Sequence, residues 1–180
     1  MPDNRKSILI TGCSSGIGFD TAHGLAKRGW RVFATCRQEA DADRLRAEGL
    51  ESFTLDYADP ESIAVAVDES LSRTGGTLDA VFNTGAYAIP GLLEDLPRDA
   101  MRAIFETNFF GQHDLTRQVL PIMRKQGHGR ILMNSSILGF AALQWRGAYN
   151  STKFAMEGWA DTLRLEMAPA NIKIILIEPG

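Results

Sequence analysis

A tyrosine and a lysine four residues apart are the side chains of this sequence best suited to proton chemistry. Tyr149 and Lys153 stand in the segment Tyr-Asn-Ser-Thr-Lys at the start of a predicted helix, so they share one face. That face continues with Thr152, Met156, Ala160 and Leu163. Because it is largely apolar, we expect it to face the interior or a ligand. A positive charge near a phenol lowers its pKa from about 10, which favours proton exchange with a bound substrate.

Two polar residues from other stretches of the chain are candidates for the same chemistry. Ser136 lies thirteen residues before Tyr149, just past a predicted strand, where its hydroxyl could polarise a substrate oxygen. A lone serine after a strand also commonly forms a turn. Asn108 stands inside a long helical pattern, although its amide competes there for backbone groups. Taken alone, it could be an ordinary buried amide.

A glycine-rich segment, Thr-Gly-Cys-Ser-Ser-Gly-Ile-Gly at 11–18, joins the first predicted strand to the first predicted helix. Glycine allows a tight turn and a close approach of phosphate, and the helix start offers N–H groups and a positive dipole end. A turn that binds nothing is the alternative, but the strand before it and the helix after it favour a nucleotide. The predicted contacts are Gly12, Ser14, Ser15, Gly16, Ile17 and Gly18.

The end of the second predicted strand indicates which dinucleotide would bind. An acidic residue there would accept hydrogen bonds from the ribose hydroxyls and indicate NAD. The segment 32–37, Val-Phe-Ala-Thr-Cys-Arg, has no acid. Arg37 instead offers a planar, permanently charged donor suited to a 2′-phosphate. An exposed arginine is often only solvated, but this position relative to the glycine turn favours NADP over NAD.

Short apolar runs alternate with helical patterns along the whole chain, and these elements must position the candidate residues. The predicted strands are 7–11, 31–35, 52–55, 78–82, 130–134 and 172–177. The predicted helices lie within 17–29, 40–48, 59–76, 101–123 and 148–167. This alternation predicts an α/β fold: a doubly wound, Rossmann-like parallel sheet of order 3-2-1-4-5-6. The ligand is then expected beyond the carboxyl ends of the strands, between strands 1 and 4.

Together these motifs resemble the short-chain dehydrogenase/reductase family over essentially the whole chain. The phrases T-G-C-S-S-G-I-G, N-S-S-I-L-G and I-E-P-G look most like its retinol- and hydroxysteroid-dehydrogenase-like branch. The resemblance implies hydride transfer between a nicotinamide cofactor and a secondary alcohol or carbonyl compound. It implies that Tyr149 exchanges the proton, that Lys153 also binds the nicotinamide ribose, and that Ser136 polarises the substrate. By the same resemblance, Asn108 holds a water in a proton relay.

The resemblance also assigns contacts after the third and fourth strands. Asp56, with Tyr57 beside it, stands where the family hydrogen-bonds the adenine. The family usually has Asn-Asn-Ala-Gly after strand 4, whereas this chain has Asn-Thr-Gly-Ala at 83–86. Asn83 and Gly85 are the expected cofactor contacts there. A positive φ at Ala86 would cost about 1 kcal/mol, which Gly85 could relieve.

The end of the sequence departs from the family pattern. Pro179 and Gly180 match a Pro-Gly pair that, by the resemblance, contacts the nicotinamide and leads into the substrate loop. The final strand, the substrate lid and the last helices of the family are therefore expected to be missing. We interpret 1–180 as a single NAD(P)-binding Rossmann-like domain, and as a fragment rather than a reduced form with an open pocket. A natural end on a buried strand would leave an unprotected sheet edge.

Composition narrows the possible partners and compartment. A net charge of -3 gives no electrostatic reason to bind nucleic acid or an anionic membrane surface. No apolar segment has the length of a signal peptide or membrane span, so we expect a cytoplasmic protein. Cys13 and Cys36 are then expected to be reduced thiols. No cysteine and histidine group has metal-ligand spacing, so no metal is expected.

The leading hypothesis is an NADP-dependent oxidoreductase, and the alternative is a non-catalytic NADP-binding sensor or regulatory protein of the same fold. A scaffold acting through association is a further rival. Intact catalytic residues favour the enzyme, because a sensor has no need of a reactive phenol. An apolar substrate, such as a steroid-, retinoid- or aldehyde-like molecule, is indicated by residues after strand 5 that could also be packing residues: Leu138, Phe140, Ala141, Leu143 and Trp145. By the family resemblance, a homodimer or homotetramer is expected through the Asn108 and Tyr149 helices.

Overall fold

Six parallel strands form one sheet in the computed structural model, which describes residues 5–180; residues 1–4 of the predicted domain lie outside the described residues. The strands are β1 (Ser7–Ile10), β2 (Arg31–Cys36), β3 (Glu51–Thr54), β4 (Ala80–Asn83), β5 (Gly129–Asn134) and β6 (Ile172–Ile177). Their order is β3-β2-β1-β4-β5-β6, and every neighbouring pair is parallel. The predicted doubly wound sheet is confirmed.

Helices connect the strands across both faces of the sheet. They are α1 (Gly16–Lys27), α2 (Glu39–Ala47), α3 (Pro60–Thr74), α4 (Arg98–Phe105), α5 (Gly111–Gln126) and α6 (Gly147–Met167). Helix α3 begins as its sequence predicts: the Asp59 side chain accepts a 3.0 Å hydrogen bond from the Glu61 N–H, and Pro60 takes the first helical position. Among residues 5–180, no helix is long and apolar enough to span a bilayer.

The core has two layers because side chains of one strand alternate between the two sheet faces. Leu9 packs with Val81, Leu115 and other residues of α3, α5 and α6 on one face. Its neighbours Ile8 and Ile10 join the α1 and α2 layer on the other face. Both layers are apolar, which is why the strands are continuous apolar runs. The sheet therefore presents its polar chemistry at the strand ends.

Two predicted boundaries need correction. The helix expected over 101–123 is divided into α4 and α5 by a π-helical segment, Glu106–Phe110, so Asn108 lies in a widened turn. Strand β4 begins at Ala80 rather than at Leu78. The Leu78 backbone is bound by a side chain instead: the Gln126 amide accepts from the Leu78 N–H at 3.2 Å and donates to the Leu78 carbonyl at 2.7 Å.

Candidate functional site

The turn between β1 and α1 has backbone angles that require glycine. Gly12 and Gly16 have φ values of +65° and +59°. A Cβ atom on Gly12 would lie 2.7 Å from the Cα of Gly85, so the turn touches the loop after β4. A Cβ atom on Gly16 would meet nothing within 4 Å. The turn thus packs against the loop after β4 at Gly12 and has free space beside it at Gly16.

Gly18 brings the start of α1 against that turn. A Cβ atom there would lie 2.5 Å from the Gly12 carbonyl oxygen and 2.8 Å from the Thr84 hydroxyl. Thr84 donates its hydroxyl proton to the Thr11 carbonyl at 2.6 Å. Ser15 precedes α1 without capping it through its side chain. A cavity of about 240 Å³ lies at this helix start, lined by residues that include Ser14, Ser15, Ile17 and Gly18.

A larger cavity of about 730 Å³ extends from the glycine turn toward the ends of β2 and β3. Arg37 and Asp56 both line it, and their contact with an adenosine stays a prediction. Arg37 is exposed, whereas the Asp56 carboxylate accepts a 2.9 Å hydrogen bond from the Ala58 N–H. Glu106 and Thr107, at the start of the π-helical segment, form another part of the wall.

The hydroxyl of Tyr57 points into the protein, although this residue also lines the larger cavity. It donates to the Asn83 side-chain oxygen at 2.6 Å and lies 2.7 Å from the Thr11 hydroxyl. The Asn83 amide nitrogen donates to Thr116 at 3.3 Å. The side chains of Tyr57 and Asn83 thus connect strand ends, and any cofactor contact of Asn83 would be made by its backbone.

The unusual segment after β4 is unstrained. Within residues 5–180 the non-glycine residues with positive φ are Trp145 and Asn171, so the strain considered for Ala86 does not arise. Gly85 donates its N–H to the Thr11 hydroxyl at 3.3 Å, and its carbonyl accepts from the Gln112 amide at 3.0 Å. These bonds hold the loop beside the glycine turn.

Ser136 and Tyr149 come together at the carboxyl end of β5. The half-buried Tyr149 phenol has a raised pKa because burial disfavours the phenolate, while the neighbouring Ser136 hydroxyl opposes that rise. The Ser136 hydroxyl also accepts from the Leu138 N–H at 3.2 Å and donates to the Pro179 carbonyl at 3.4 Å. A substrate oxygen placed between the two hydroxyls would be polarised by one and protonated by the other.

Lys153 lies beside this pair, but the net pKa of the phenol is raised rather than lowered. Its ammonium is 5.4 Å from the centroid of the Tyr149 ring and donates to the Asn134 carbonyl at 2.5 Å. Lys153 is fully buried, and burial lowers its pKa to about 8. The expected net lowering of the Tyr149 pKa is therefore wrong for this structure, because burial of the phenol dominates and the ammonium is directed at a carbonyl.

Asn108 is completely buried, and its amide is occupied by the backbone of Tyr87. The side-chain oxygen accepts from the Tyr87 N–H at 3.0 Å, and the nitrogen donates to the Tyr87 carbonyl at 2.8 Å. A further bond of 3.3 Å reaches Thr152 on α6. The side chain thus connects the loop after β4 to α6, and the predicted water relay stays a prediction.

Pro179 and Gly180 follow β6, next to the segment that follows β5. The Pro179 carbonyl accepts from the Ile137 N–H at 3.0 Å in addition to the Ser136 hydroxyl. This segment thereby places the expected nicotinamide contacts beside the proposed proton chemistry. Their contact with a cofactor stays a prediction.

The residues present fit a dinucleotide. The two cavities share Gly12, Ser14, Gly85 and Ala86, so one elongated ligand could occupy both. Asn134 lines the smaller cavity, and its buried side-chain oxygen has no hydrogen-bond partner among residues 5–180, as expected of a group completed by a ligand. Across the same residues, no group of three His, Cys, Asp or Glu side chains could hold a metal ion.

Several residues of the site were not among the contacts predicted from the sequence, although Thr11 stands in the glycine-rich segment and Thr84 in the segment after strand 4. Thr11 and Thr84 hold the glycine turn to the loop after β4, and Gln112 binds the same loop from α5. A usable signal was their position: each is polar yet stands at a strand end or among buried helix residues. Such residues need hydrogen-bond partners, but the sequence alone does not identify those partners.

Comparisons with known proteins agree with this geometry. The model of the short chain dehydrogenase family matches residues 6–180. The uncharacterized oxidoreductase YbbO of Escherichia coli (strain K12) is 43% identical over 176 residues, covering 98% of this chain and 65% of YbbO. Retinol dehydrogenase 8 of Bos taurus is 35% identical over 190 residues, covering 100% of this chain and 60% of that protein. The chain thus spans less than two thirds of the length of these relatives.

Solved structures give the same result. A short-chain dehydrogenase from Streptomyces avermitilis has a TM-score of 0.94 at 34% identity, over 98% of this chain and 66% of that one. A gluconate 5-dehydrogenase from Burkholderia cenocepacia, solved with NADP and tartrate, has a TM-score of 0.88 at 28% identity; the match covers 99% of this chain and 71% of that one. A 3-ketoacyl-(acyl-carrier-protein) reductase from Brucella melitensis, solved with NADH, has a TM-score of 0.90 at 27% identity; the match covers 97% of this chain and 74% of that one. By sequence, fold and site geometry, the chain belongs to the short-chain dehydrogenase family.

Proposed function

We propose that this chain forms the cofactor-binding and catalytic part of an NADP-dependent oxidoreductase acting on a secondary alcohol or carbonyl compound. The observation that carries the proposal is the convergence of the Ser136 hydroxyl, the Tyr149 phenol and the Lys153 ammonium. Lys153 binds the carbonyl of Asn134, and Asn134 lines the cavity that starts at the glycine turn. The bound nicotinamide would supply or accept the hydride.

The chain's own residues would manage the proton. During reduction Tyr149 donates its phenolic proton to the carbonyl oxygen, and during oxidation the phenolate accepts the hydroxyl proton. Ser136 donates a hydrogen bond to the same oxygen and so stabilises its developing negative charge. Lys153 provides a positive charge that favours the phenolate once the proton has left.

The preference for NADP rests on Arg37. It follows β2 and lines the larger cavity, whereas β2 itself ends without an acidic residue. The guanidinium would pair with a 2′-phosphate. Asp41 also lines this cavity, and it forms a 3.3 Å ion pair with Arg44 that offsets its charge. Relatives in this family are solved with NADP and with NADH, so the choice between them depends on this chain's own residues.

An apolar substrate is supported by exposed side chains beyond Ser136. Phe140, Leu143 and Trp145 are 61%, 55% and 58% exposed. The loop that bears them is held to the loop after β4, because the Gly91 N–H donates to the Trp145 carbonyl at 3.0 Å. A steroid-, retinoid- or aldehyde-like compound would cover these side chains and remove apolar surface from water.

The proposal extends to the whole molecule. We interpret the chain as a single NAD(P)-binding domain of a cytoplasmic enzyme that forms a homodimer or homotetramer through α5 and α6. The large exposed aromatic side chains of Phe110, before α5, and Phe154, on α6, support association at these helices.

The test compares wild-type chain with Tyr149→Phe, using NADPH consumption with a panel of carbonyl compounds and NADPH fluorescence for binding. We expect turnover to fall by about 10²–10⁴-fold while NADPH binding is retained. Tyr87→Phe is the matched control, because it removes the hydroxyl of a partly exposed tyrosine that lines the larger cavity. Unchanged turnover in Tyr149→Phe would refute the assignment. A full-length protein that binds NADPH but reduces no compound would favour the sensor.

The cofactor assignment has a separate test. Arg37→Ala should weaken NADPH binding while leaving NADH binding nearly unchanged, because only NADPH carries the 2′-phosphate. Arg28→Ala is the control, since Arg28 follows the opposite end of α1 from the glycine turn. Equal discrimination between the two cofactors in wild type and Arg37→Ala would exclude this role for Arg37.

A further inference from the structure

Glu157 is an acidic side chain that the proposed mechanism does not use. It lies four residues after Lys153 on α6, so the two side chains are neighbours on one helical face. The Ser135 hydroxyl, buried at the end of β5, donates a short hydrogen bond to the Glu157 carboxylate. A carboxylate is thereby held about one helical turn from a buried ammonium.

The segment that holds Glu157 is the one that holds Lys153. The Asn134 carbonyl accepts from the Lys153 ammonium, and the next residue, Ser135, donates to Glu157. Gly139 lies against both groups, because a Cβ atom there would lie 2.8 Å from both the Glu157 oxygen and the Ser135 hydroxyl. Packing against Gly139 therefore limits the carboxylate on that side, and the hydrogen bond from Ser135 holds it there.

The negative charge of Glu157 affects the protonation of Lys153. Lys153 is fully buried, and burial without a counter-charge favours the neutral amine. The contact shown for the ammonium at the end of β5 is the uncharged carbonyl of Asn134. On α6 itself the Tyr149 ring, whose centroid is 5.4 Å away, belongs to a phenol with a raised pKa. Glu157 is the carboxylate that acts in favour of the ammonium.

We propose that Glu157 is a positioning residue: clamped by Ser135, it is the counter-charge that keeps Lys153 protonated beside Tyr149. The catalytic importance of this pairing rests on the proposed function. The pairing itself is a property of the folded chain without cofactor. It can therefore be tested, and can fail, independently of hydride transfer.

The experiment is an NMR titration of the lysine side chains in the cofactor-free chain. There are five lysines, and the Lys153 signal is identified by its loss in Lys153→Met. Glu157→Gln keeps an acceptor for Ser135 and removes the charge, so the pKa of Lys153 should fall by roughly one to two units. Asp161→Asn, which removes an exposed carboxylate from the same helix, should leave it unchanged.

Ser135→Ala tests the hydrogen bond from Ser135 to the Glu157 carboxylate. It also covers the case in which Glu157→Gln does not fold. Without the hydroxyl the carboxylate can turn toward solvent, so the pKa of Lys153 should fall by less than in Glu157→Gln. A folded Glu157→Gln chain with an unchanged Lys153 titration would overturn the proposal. So would an unchanged titration in Ser135→Ala, because the clamp would then have no effect. If wild-type chain fails to bind NADPH, the proposed function fails while this result stands.

Discussion

Replacing Gly18 with alanine tests whether the start of α1 must touch the glycine turn. The added methyl would lie 2.5 Å from the Gly12 carbonyl oxygen and 2.8 Å from the Thr84 hydroxyl. The first contact is with backbone, so the turn has to open to relieve it. Gly18 does not have a positive φ, and the effect is therefore steric rather than conformational.

The size of the effect follows from two opposed contributions. Overpacking of this kind costs about 1–3 kcal/mol, and the better helix propensity of alanine returns up to about 1 kcal/mol. We expect a net loss of about 1–2 kcal/mol in the free energy of unfolding. That loss lowers the Tm by roughly 2–8 °C in a chain of this size. If the phosphates bind only the closed turn, NADPH affinity falls by about 5–30-fold.

The assay is thermal and urea unfolding together with NADPH fluorescence titration. Gly24→Ala is the matched control, because Gly24 lies on the same helix and an added Cβ atom would meet nothing within 4 Å. It should stabilise the chain by about 0.5–1 kcal/mol and leave NADPH binding unchanged. If Gly18→Ala unfolds and binds NADPH like wild type, the proposed contact between the turn and α1 is wrong.

Three further substitutions test other parts of the site. Tyr57→Phe leaves the buried oxygen of Asn83 without its donor and should cost about 1–3 kcal/mol in urea unfolding; no loss would show that the network is dispensable. Asn108→Ala removes both hydrogen bonds to the Tyr87 backbone and should speed amide hydrogen exchange at Tyr87. Unchanged exchange would show that these bonds do not hold the loop. Lys153 has a pKa of about 8 when folded and 10.5 as its ordinary value, so between these values the unfolded chain holds the proton that the folded chain has released. Wild type should therefore gain about 2–3 kcal/mol of stability relative to Lys153→Met as the pH rises through this window, and parallel stability curves would contradict the buried ammonium.

Local signals were sufficient to predict the fold. Each strand is a short apolar run because both sheet faces are covered, and the Asp59-Pro60 start of α3 depends only on adjacent residues. The predicted start of strand β4 is two residues too early, because the true start depends on a long-range contact rather than on a local signal. Leu78 is buried and apolar like a strand residue, but its backbone is paired with Gln126, which is distant in sequence.

The site could be predicted as a set of residues but not as a set of contacts. The spacing of Ser136, Tyr149 and Lys153 predicts which groups meet. It does not predict that Lys153 binds the Asn134 carbonyl or that burial raises the pKa of Tyr149. The amide of Asn108 likewise needed a partner, and that partner, the backbone of Tyr87, lies in a loop with no pattern of its own. Long-range pairing and burial are properties of the folded chain.

The position of Tyr149 is determined largely by bonds in which its phenol takes no part. Three residues at successive turns of α6 bind the single segment 134–141: Asn150 donates to the Leu138 and Ala141 carbonyls, Lys153 to the Asn134 carbonyl, and Glu157 accepts from Ser135. These bonds fix the helix against the end of β5, where Ser136 follows. Removing the phenolic oxygen should therefore leave the helix in place, so the loss of turnover in Tyr149→Phe would report on proton transfer rather than on a displaced site.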